Sequence, residues 1–267
     1  MYAIDRAVAA IERADGLLIT AGAGLGVDSG LPDFRGNQGF WKAYPALAES
    51  GINFQDIACP NAFTNSPHRA WGFYGHRLNL YRETVPHDGF QILRTLAAKV
   101  EHGACVFTSN VDGQFQKAGF DPDRISEVHG SIHHLQCLNG CRGDIWPGDA
   151  FHPVVDEESC ELLSEFPICP HCGGIARPNI LMFGDWSWVR TRSNEQSVRL
   201  HVWRQTVKRL VVIELGAGRD IATVRNYSEK AGGQLVRINP RDDRVPEGGI
   251  SLRAGAQDAL RAIEQLV

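Results

Sequence analysis

The sequence predicts an α/β protein built on a doubly wound parallel sheet. Four short runs, at residues 17–20, 105–108, 210–215 and 235–238, are largely apolar and each is followed by a turn or helix signal. Runs without polar alternation are typical of parallel strands buried on both faces. Apolar residues at helical spacing lie between and after them, at 93, 96, 97 and 100 and at 256, 259, 260 and 263. This order of strands and helices indicates a Rossmann-like sheet.

Two stretches interrupt the sheet. The chain has 267 residues, 43% of them hydrophobic, which suits one large domain or one domain with an insertion. Residues 36–88 are rich in aromatic residues, Pro and Asn, and residues 131–177 contain two cysteine pairs among many Gly, Pro and acidic residues. We therefore predict a Rossmann-like domain over 1–35, 89–130 and 178–267, and a smaller module made of a helical insertion (36–88) and a cysteine-bearing segment (131–177).

Charge and the N-terminal residues limit the partners and the location. A formal net charge of −4 gives no overall attraction to nucleic acid or to anionic lipid. No apolar run reaches the roughly 20 residues of a membrane-spanning helix. Ile4, Ala7, Val8 and Ile11 form one helical face among charged residues, unlike the unbroken apolar core of a signal peptide. We expect a cytoplasmic protein that binds neither nucleic acid nor a membrane.

Two glycine-rich turns follow predicted strands. After the first strand, Gly22-Ala23-Gly24 would let the backbone approach a pyrophosphate, and a following helix would supply N–H donors. The second turn, Gly216-Ala217-Gly218, is structural when taken alone. In a dehydrogenase fingerprint the third glycine stands at the position that Val27 occupies here. The fingerprint also has an acidic residue at the end of a second strand about 20 residues further on, and this chain has none there. The turns favour dinucleotide binding over a plain strand-to-helix connection, and they disfavour a dehydrogenase.

The cysteines indicate a metal site. Two close pairs, Cys137 with Cys141 and Cys169 with Cys172, are separated by 27 residues. In a reducing compartment such pairs more often hold a metal than form disulfides. Four thiolates suit tetrahedral Zn²⁺, and such a site is structural because no position is left for a substrate. We predict zinc at these four residues, with Cys160 in reserve, against the alternative of unligated cysteines.

The residues after the first turn add an aromatic ring and a cation to the nucleotide site. With the run Ser29-Gly30-Leu31-Pro32-Asp33-Phe34-Arg35-Gly36, the chain resembles the sirtuins, the NAD-dependent protein lysine deacylases. It matches their G-A-G-x-S-x-x-S-G-I-P-D-F-R signature except at Gly26, where the family usually has Ser, and at Leu31, which stands in place of Ile. Residues 108–113, 128–131 and 177–185 are similar to further sirtuin segments, and the cysteine pairs stand in family order. The resemblance covers most of the chain.

This resemblance implies an enzyme that binds NAD and a structural zinc ion and acts on an acylated-lysine protein substrate. In the implied reaction the acyl oxygen attacks C1′ of the nicotinamide ribose, nicotinamide leaves, and lysine and O-acyl-ADP-ribose are released. His129 is implied as the general base that deprotonates a ribose hydroxyl, and Asn110 as a second catalytic residue that orders the ribose or a water. The implied NAD-binding residues are Gly22, Ala23, Gly24, Ser29, Asp33, Phe34, Arg35, Ser109, Asn110, Asp112, Gly216, Gly218 and Asn239.

Several of these residues have simpler explanations. An Asn or Asp after a strand commonly caps the next helix, which is the alternative for Asn110 and Asp112. Tyr74 and Arg77 would share one face of a helix, and an Arg with a Tyr is a good receptor for a carboxylate. The pair resembles the element of sirtuins that remove succinyl, malonyl or glutaryl groups. The alternative is an aromatic helix packed on the core with Arg77 solvated.

The sequence also departs from the sirtuin pattern. Besides Gly26, Ser109 replaces a Gln, and Gln114-Phe115 replaces a usual Leu-His. Each departure weakens one contact of the implied NAD pocket and leaves the base in place. The alternative function is therefore a sirtuin-like NAD glycohydrolase or ADP-ribosyltransferase. A non-catalytic NAD sensor is disfavoured because His129 is retained.

Overall fold

The computed structural model describes residues 2–32 and 36–267, which contain eleven strands and eleven α-helices. The strands are β1 Gly16–Ala21, β2 Ala104–Thr108, β3 Ile125–Glu127, β4 Gly130–Cys137, β5 Ile145–Pro147, β6 Val155–Asp156, β7 Glu161–Leu162, β8 Ala176–Ile180, β9 Leu210–Leu215, β10 Gln234–Ile238 and β11 Ile250–Leu252. The helices are α1 Ala3–Arg13, α2 Gly36–Ala43, α3 Pro45–Glu49, α4 Phe54–Ile57, α5 Pro60–Asn65, α6 Pro67–Glu83, α7 Asp88–Ala98, α8 Gln114–Lys117, α9 Thr191–Thr206, α10 Thr223–Lys230 and α11 Ala256–Glu264.

Six parallel strands form the main sheet in the order β11-β10-β9-β1-β2-β3. From β1 the chain moves outward to β2 and β3, and it later starts again at β9 on the other side of β1. Ala21 pairs with Leu215, so β1 and β9 end at the same level. This is the point at which the strand order reverses, where doubly wound sheets bind their ligands.

Helices cover both faces of this sheet, which explains why its central strands are apolar throughout. Leu17, Ile19 and Ala21 of β1 pack into a core with α1, α7 and α11. Leu18 points the other way, into a core with α9 and α10. All residues of β1 and β9 are buried. The predicted doubly wound α/β fold is therefore confirmed.

A second core joins the helices of residues 36–83 to the cysteine-bearing strands. β4 lies between β5 and β8 in a small antiparallel sheet, and β6 pairs with β7. Trp71 of α6 is fully buried here, and its Nε1 donates to the Ala176 carbonyl of β8 at 3.0 Å. Gly72 allows α6 to approach β7, because a Cβ at this position would lie 2.1 Å from the Cys160 carbonyl oxygen.

The structure differs from the sequence-based expectation at several elements of the main sheet and its helices. The segment after the first glycine turn is a 3-10 helix, Ala23–Ser29, and not an α-helix. It ends at Gly30, whose φ of 85° closes the segment in the left-handed region. Strand β11 and helices α9 and α10 were not predicted. Three residues are too few for a strand pattern, and α9 is polar on most of its surface, with four buried residues.

No helix in the described part of the chain is both long enough and apolar enough to cross a bilayer.

Candidate active site

The two glycine turns contact each other where β1 and β9 end. The Gly22 amide donates to the Leu215 carbonyl and the Gly24 amide to the Gly216 carbonyl, both at 3.0 Å. A Cβ on Gly216, whose φ is 60°, would lie 2.3 Å from the Gly24 carbonyl carbon, and one on Gly22 would lie 2.9 Å from Ala217 Cα. Glycine is required here because two backbones meet, a reason that the sequence does not reveal.

Gly218 lies in a different environment. No described atom lies within 4 Å of the position of a Cβ built on it, and the residue is half-buried. Packing within the protein therefore does not require glycine at position 218. The open space beside the turn is the feature that a bound nucleotide would require, and it supports the fit of a dinucleotide to this edge of the sheet.

Asn239 and Asn110 hold the two turns in position. The Asn239 side chain is fully buried, donates to the Ala217 carbonyl at 3.0 Å and accepts from the amides of Arg241 and Asp242. Asn110 follows β2, and its side-chain Nδ2 donates to the Gly22 carbonyl at 3.1 Å. Its backbone amide donates to Thr108 Oγ1. In this structure both amide side chains bond to the backbone of the turns.

His129 lies in the turn between β3 and β4, close to Ser109. Its imidazole is half-buried and hydrogen-bonds to the Ser109 backbone, and its carbonyl accepts from the Leu181 amide at 2.9 Å. Burial lowers the pKa of His129 below its ordinary value, and the bond to Ser109 opposes this only in part. The ring is therefore neutral near pH 7, which is the form that accepts a proton.

Asp112 is buried at the start of α8. Its Oδ1 accepts from the Gln114 amide at 2.9 Å, and its carbonyl oxygen lies 2.9 Å from His133 Nε2. Burial raises the pKa of Asp112 to about 6, although the Gln114 bond lowers it. Asp112 therefore has the capping role that the sequence leaves open, and burial disfavours the charged form of its carboxyl group.

Ser29 lies at the end of the 3-10 helix, where its Oγ accepts from the His87 amide at 3.0 Å. His87 precedes α7 and was not identified from the sequence. Its Nε2 lies 3.1 Å from the Leu25 carbonyl, and its Nδ1 accepts from the Gly89 amide. The sequence could have indicated this role, because His87 stands directly before the apolar stripe of α7, where a helix cap is expected.

The departure at position 26 has a packing reason. Gly26 is buried, and a Cβ there would lie 3.0 Å from Leu31 Cδ1 and 3.3 Å from Leu31 Cβ. Leu31 also donates from its amide to the Gly26 carbonyl. Gln114 and Phe115 are buried as well, Phe115 packing against Phe90 in the sheet core.

Tyr74 and Arg77 lie on α6 and are both buried. Arg77 bonds through Nε and Nη2 to the Tyr81 hydroxyl at 3.0 and 2.6 Å, and its Cζ lies 5.8 Å from the Tyr74 ring centroid. Tyr74 stacks on Phe63 at 5.5 Å between ring centroids. Burial raises the pKa of Tyr74, so its hydroxyl stays protonated. The two side chains are together, as their spacing predicts, and Arg77 is not solvated.

The four predicted zinc ligands converge at one point. The sulfur atoms of Cys137, Cys141, Cys169 and Cys172 all lie within 4.8 Å of one another, and the pairs 137–172 and 141–169 are 3.6 Å apart. Bonds of about 2.3 Å to a tetrahedral zinc ion place sulfurs about 3.8 Å apart. The donor set therefore fits structural zinc. Cys160 is buried in the core of the smaller module, apart from the four.

Three of the predicted residues, Asp33, Phe34 and Arg35, lie outside the residues that the structure describes. The predicted site residues that the structure describes after β1, β2, β3 and β9 lie together at the carboxyl-terminal edge of the parallel sheet.

Comparison with known proteins gives consistent matches over most of the chain. A family model described as the Sir2 family matches residues 22–202. An NAD-dependent protein deacylase of Thermococcus kodakarensis is 28% identical over 259 residues, covering 96% of this chain and 93% of that protein. A probable bifunctional ADP-ribose hydrolase/ADP-ribosyltransferase of Fusarium oxysporum is 31% identical over 231 residues, covering 81% of this chain and 38% of that protein. The crystal structure of a Sir2 homologue–NAD complex superposes with a TM-score of 0.71 at 24% identity, covering 98% of this chain and 93% of that one.

Proposed function

The chain belongs to the Sir2 family, and on that premise we propose that it is an NAD-dependent protein lysine deacylase in which His129 is the general base. Relatives named NAD-dependent protein deacylase span nearly all of the chain, so the enzyme is of this type. When bound, NAD supplies the ribose to which the acyl group is transferred as nicotinamide leaves.

The observation that carries the role of His129 is its environment. The imidazole is half-buried, its pKa is lowered by burial, and it lies beside the Ser109 backbone at the edge where the glycine turns meet. A neutral ring at this position can accept a proton from a ribose hydroxyl through the nitrogen that is not bonded to Ser109. Partial burial also limits the access of water to the reacting sugar.

The meeting of the two glycine turns supports the proposed contacts of the dinucleotide. Gly22, Ala23, Gly24, Gly216 and Gly218 form its backbone cradle. We propose that Ser29, Ser109, Asn110 and Asp112 line its nicotinamide end, and that Asn239 holds the second turn at its adenosine end. Asp33, Phe34 and Arg35 are proposed from sequence alone.

Tyr74 and Arg77 are proposed as the acyl-group receptor. A guanidinium held against aromatic rings in a buried site favours a carboxylate partner over water. This supports removal of acidic acyl groups, such as succinyl or malonyl, besides acetyl groups.

The test is mass spectrometry of acetyl-, succinyl- and malonyl-lysine peptides incubated with the protein, with and without NAD. We expect loss of acyl mass only with NAD, and no loss with His129→Ala. Acyl loss without NAD, or full turnover by His129→Ala, would overturn the proposal.

The second candidate function is NAD cleavage or ADP-ribose transfer. It is favoured by the Fusarium relative and by the changed residues at positions 26 and 109. Release of nicotinamide without any acyl peptide, at the rate seen with peptide, would favour this alternative.

A further inference from the structure

A buried arginine joins the second glycine turn to the segment that follows β10. Arg225 lies in the first turn of α10 and is only 7% exposed. Its Nη1 donates to the Asp242 carbonyl at 2.7 Å and, more weakly, to the Ala217 carbonyl at 3.4 Å. Its Nη2 donates to the Arg244 carbonyl at 3.1 Å. One guanidinium therefore binds the backbone after β9 and the backbone after β10.

The segment after β10 depends on side chains for its conformation. Residues 239–244 have no regular secondary structure, and Asn239 Oδ1 accepts from two of their amides. The carbonyls of Asp242 and Arg244 accept from Arg225, and Arg237 of β10 also donates to the Arg244 carbonyl. Because backbone carbonyls that leave water need a donor, these two arginines favour one conformation of the segment.

The two arginines differ in how their charge is balanced. Arg237 pairs with Glu214 of β9, with 2.9 Å between Nη2 and Oε2, and with Glu229 at 2.8 Å. Within the described ranges, Arg225 forms no ion pair, and its hydrogen bonds go to backbone carbonyls. Replacing Arg225 therefore leaves no buried carboxylate without its partner, whereas replacing Arg237 would.

The second turn is held by Arg225 together with a residue of the proposed nucleotide site. The Ala217 carbonyl accepts from Asn239 Nδ2 at 3.0 Å as well as from Arg225. Both side chains thus act on the edge of the sheet where the adenosine end of the dinucleotide is proposed to lie. A site that is already in place avoids the cost of ordering it when the ligand binds.

We propose that Arg225 is a positioning residue for the adenosine half of NAD, which it preorganises by fixing the second turn and residues 239–244. This inference rests on the proposed function, because that function places the dinucleotide on the two glycine turns. Arg225 acts through the carbonyls that it binds, since its side chain is buried behind them.

The chain offers a matched control at the opposite edge of the sheet. Arg204 of α9 also donates to backbone carbonyls, those of Val207, Ala231 and Gly232. These residues precede β9 and β10, so Arg204 lies at the amino-terminal edge, away from the glycine turns. Arg204→Met therefore removes the same kind of contact without touching the proposed nucleotide edge.

The experiment measures adenosine-end binding separately from catalysis. Isothermal titration gives the Kd of ADP-ribose for the wild type, Arg225→Met, Arg225→Lys and Arg204→Met, at a temperature where urea unfolding shows each protein to be folded. Steady-state kinetics give kcat and the KM values for NAD and for an acetyl-lysine peptide. Hydrogen exchange reports the protection of the Arg241 and Asp242 amides.

Arg225→Met should weaken ADP-ribose binding by about tenfold, because the segment must then be ordered on binding. The KM for NAD should rise by the same factor, with kcat and the peptide KM unchanged, and the two amides should exchange faster. Arg225→Lys should show a smaller change, since one ammonium cannot span the same carbonyls. Arg204→Met should lose stability and keep the wild-type Kd.

An unchanged Kd in Arg225→Met, or an equal weakening in Arg204→Met, would overturn the inference. If Arg225→Met does not fold, Arg225→Lys decides, and a wild-type Kd in that variant would overturn it as well.

Failure of the proposed function is distinguished because ADP-ribose binding requires no acyl transfer. If the wild type binds ADP-ribose and removes no acyl groups, the deacylase proposal fails, and the comparison of Arg225 with Arg204 still decides the role of Arg225. A wild type that does not bind ADP-ribose would overturn the inference itself.

Discussion

The amide of His87 donates a hydrogen bond to the hydroxyl of Ser29 at 3.0 Å, so the residue that caps the start of α7 also fixes the end of the 3-10 helix next to the glycine turns. The His87 ring strengthens the link through the Leu25 carbonyl and the Gly89 amide. One buried side chain therefore connects the proposed NAD edge to the sheet core.

His87→Ala should destabilise the protein by about 2 kcal/mol, because it removes a helix cap and a buried hydrogen bond. His87→Asn keeps a capping oxygen and should recover part of the loss. Urea unfolding measures both, and equal stability of the two variants would show that the cap contributes nothing.

Gly216→Ala and Gly218→Ala form a matched pair. Gly216→Ala should cost about 2 kcal/mol or more, because its Cβ would meet the Gly24 backbone at 2.3 Å and its φ of 60° disfavours alanine. Gly218→Ala meets no described atom and should change stability by less than about 0.5 kcal/mol, while raising the KM for NAD. Similar unfolding free energies for both variants would contradict the contact between the turns.

His129→Ala should reduce NAD-dependent deacylation by at least about 10²-fold, with the fold and the metal content unchanged. In the wild type, kcat/KM should rise with pH as the ring loses its proton. Because burial holds the pKa of His129 below its ordinary value, the midpoint of this rise should lie below about pH 6.5. An acid limb centred above that value would argue against His129 as the base.

Asp112→Asn should stabilise the protein at neutral pH. The folded state binds a proton on Asp112 more tightly than the unfolded state does, with a pKa of about 6 against about 3.9. The wild type therefore loses stability as pH rises between these values, while Asn keeps an oxygen to accept from the Gln114 amide. We expect a difference on the order of 2 kcal/mol at pH 7 that vanishes near pH 4. A difference that does not vary with pH in urea unfolding would contradict the burial of this charge.

Cys169→Ser should remove the zinc and unfold the smaller module. Elemental analysis should find about one zinc per chain in the wild type and almost none in this variant, with a loss of near-ultraviolet circular dichroism from buried aromatic residues such as Trp71. Cys160→Ala lies outside the cluster and should keep the metal. Loss of zinc in Cys160→Ala would instead make Cys160 a ligand.

The sequence alone determined the central strands of the sheet, the zinc ligands and the family, because each depends on a local pattern. Continuous apolar runs indicated β1 and β9. The spacing of the paired cysteines indicated a metal site without any knowledge of how the chain between them folds. The pairing of Tyr74 with Arg77 followed from helical spacing. None of these inferences required a long-range distance.

Only the tertiary structure decided why Gly22 and Gly216 must be glycine, since the two turns meet across about 190 residues of chain. It also decided the protonation of His129 and Asp112, because desolvation depends on what the whole fold packs around a side chain. The link between His87 and Ser29 and the contacts of Arg225 likewise arise from packing between separate segments, which no local pattern records.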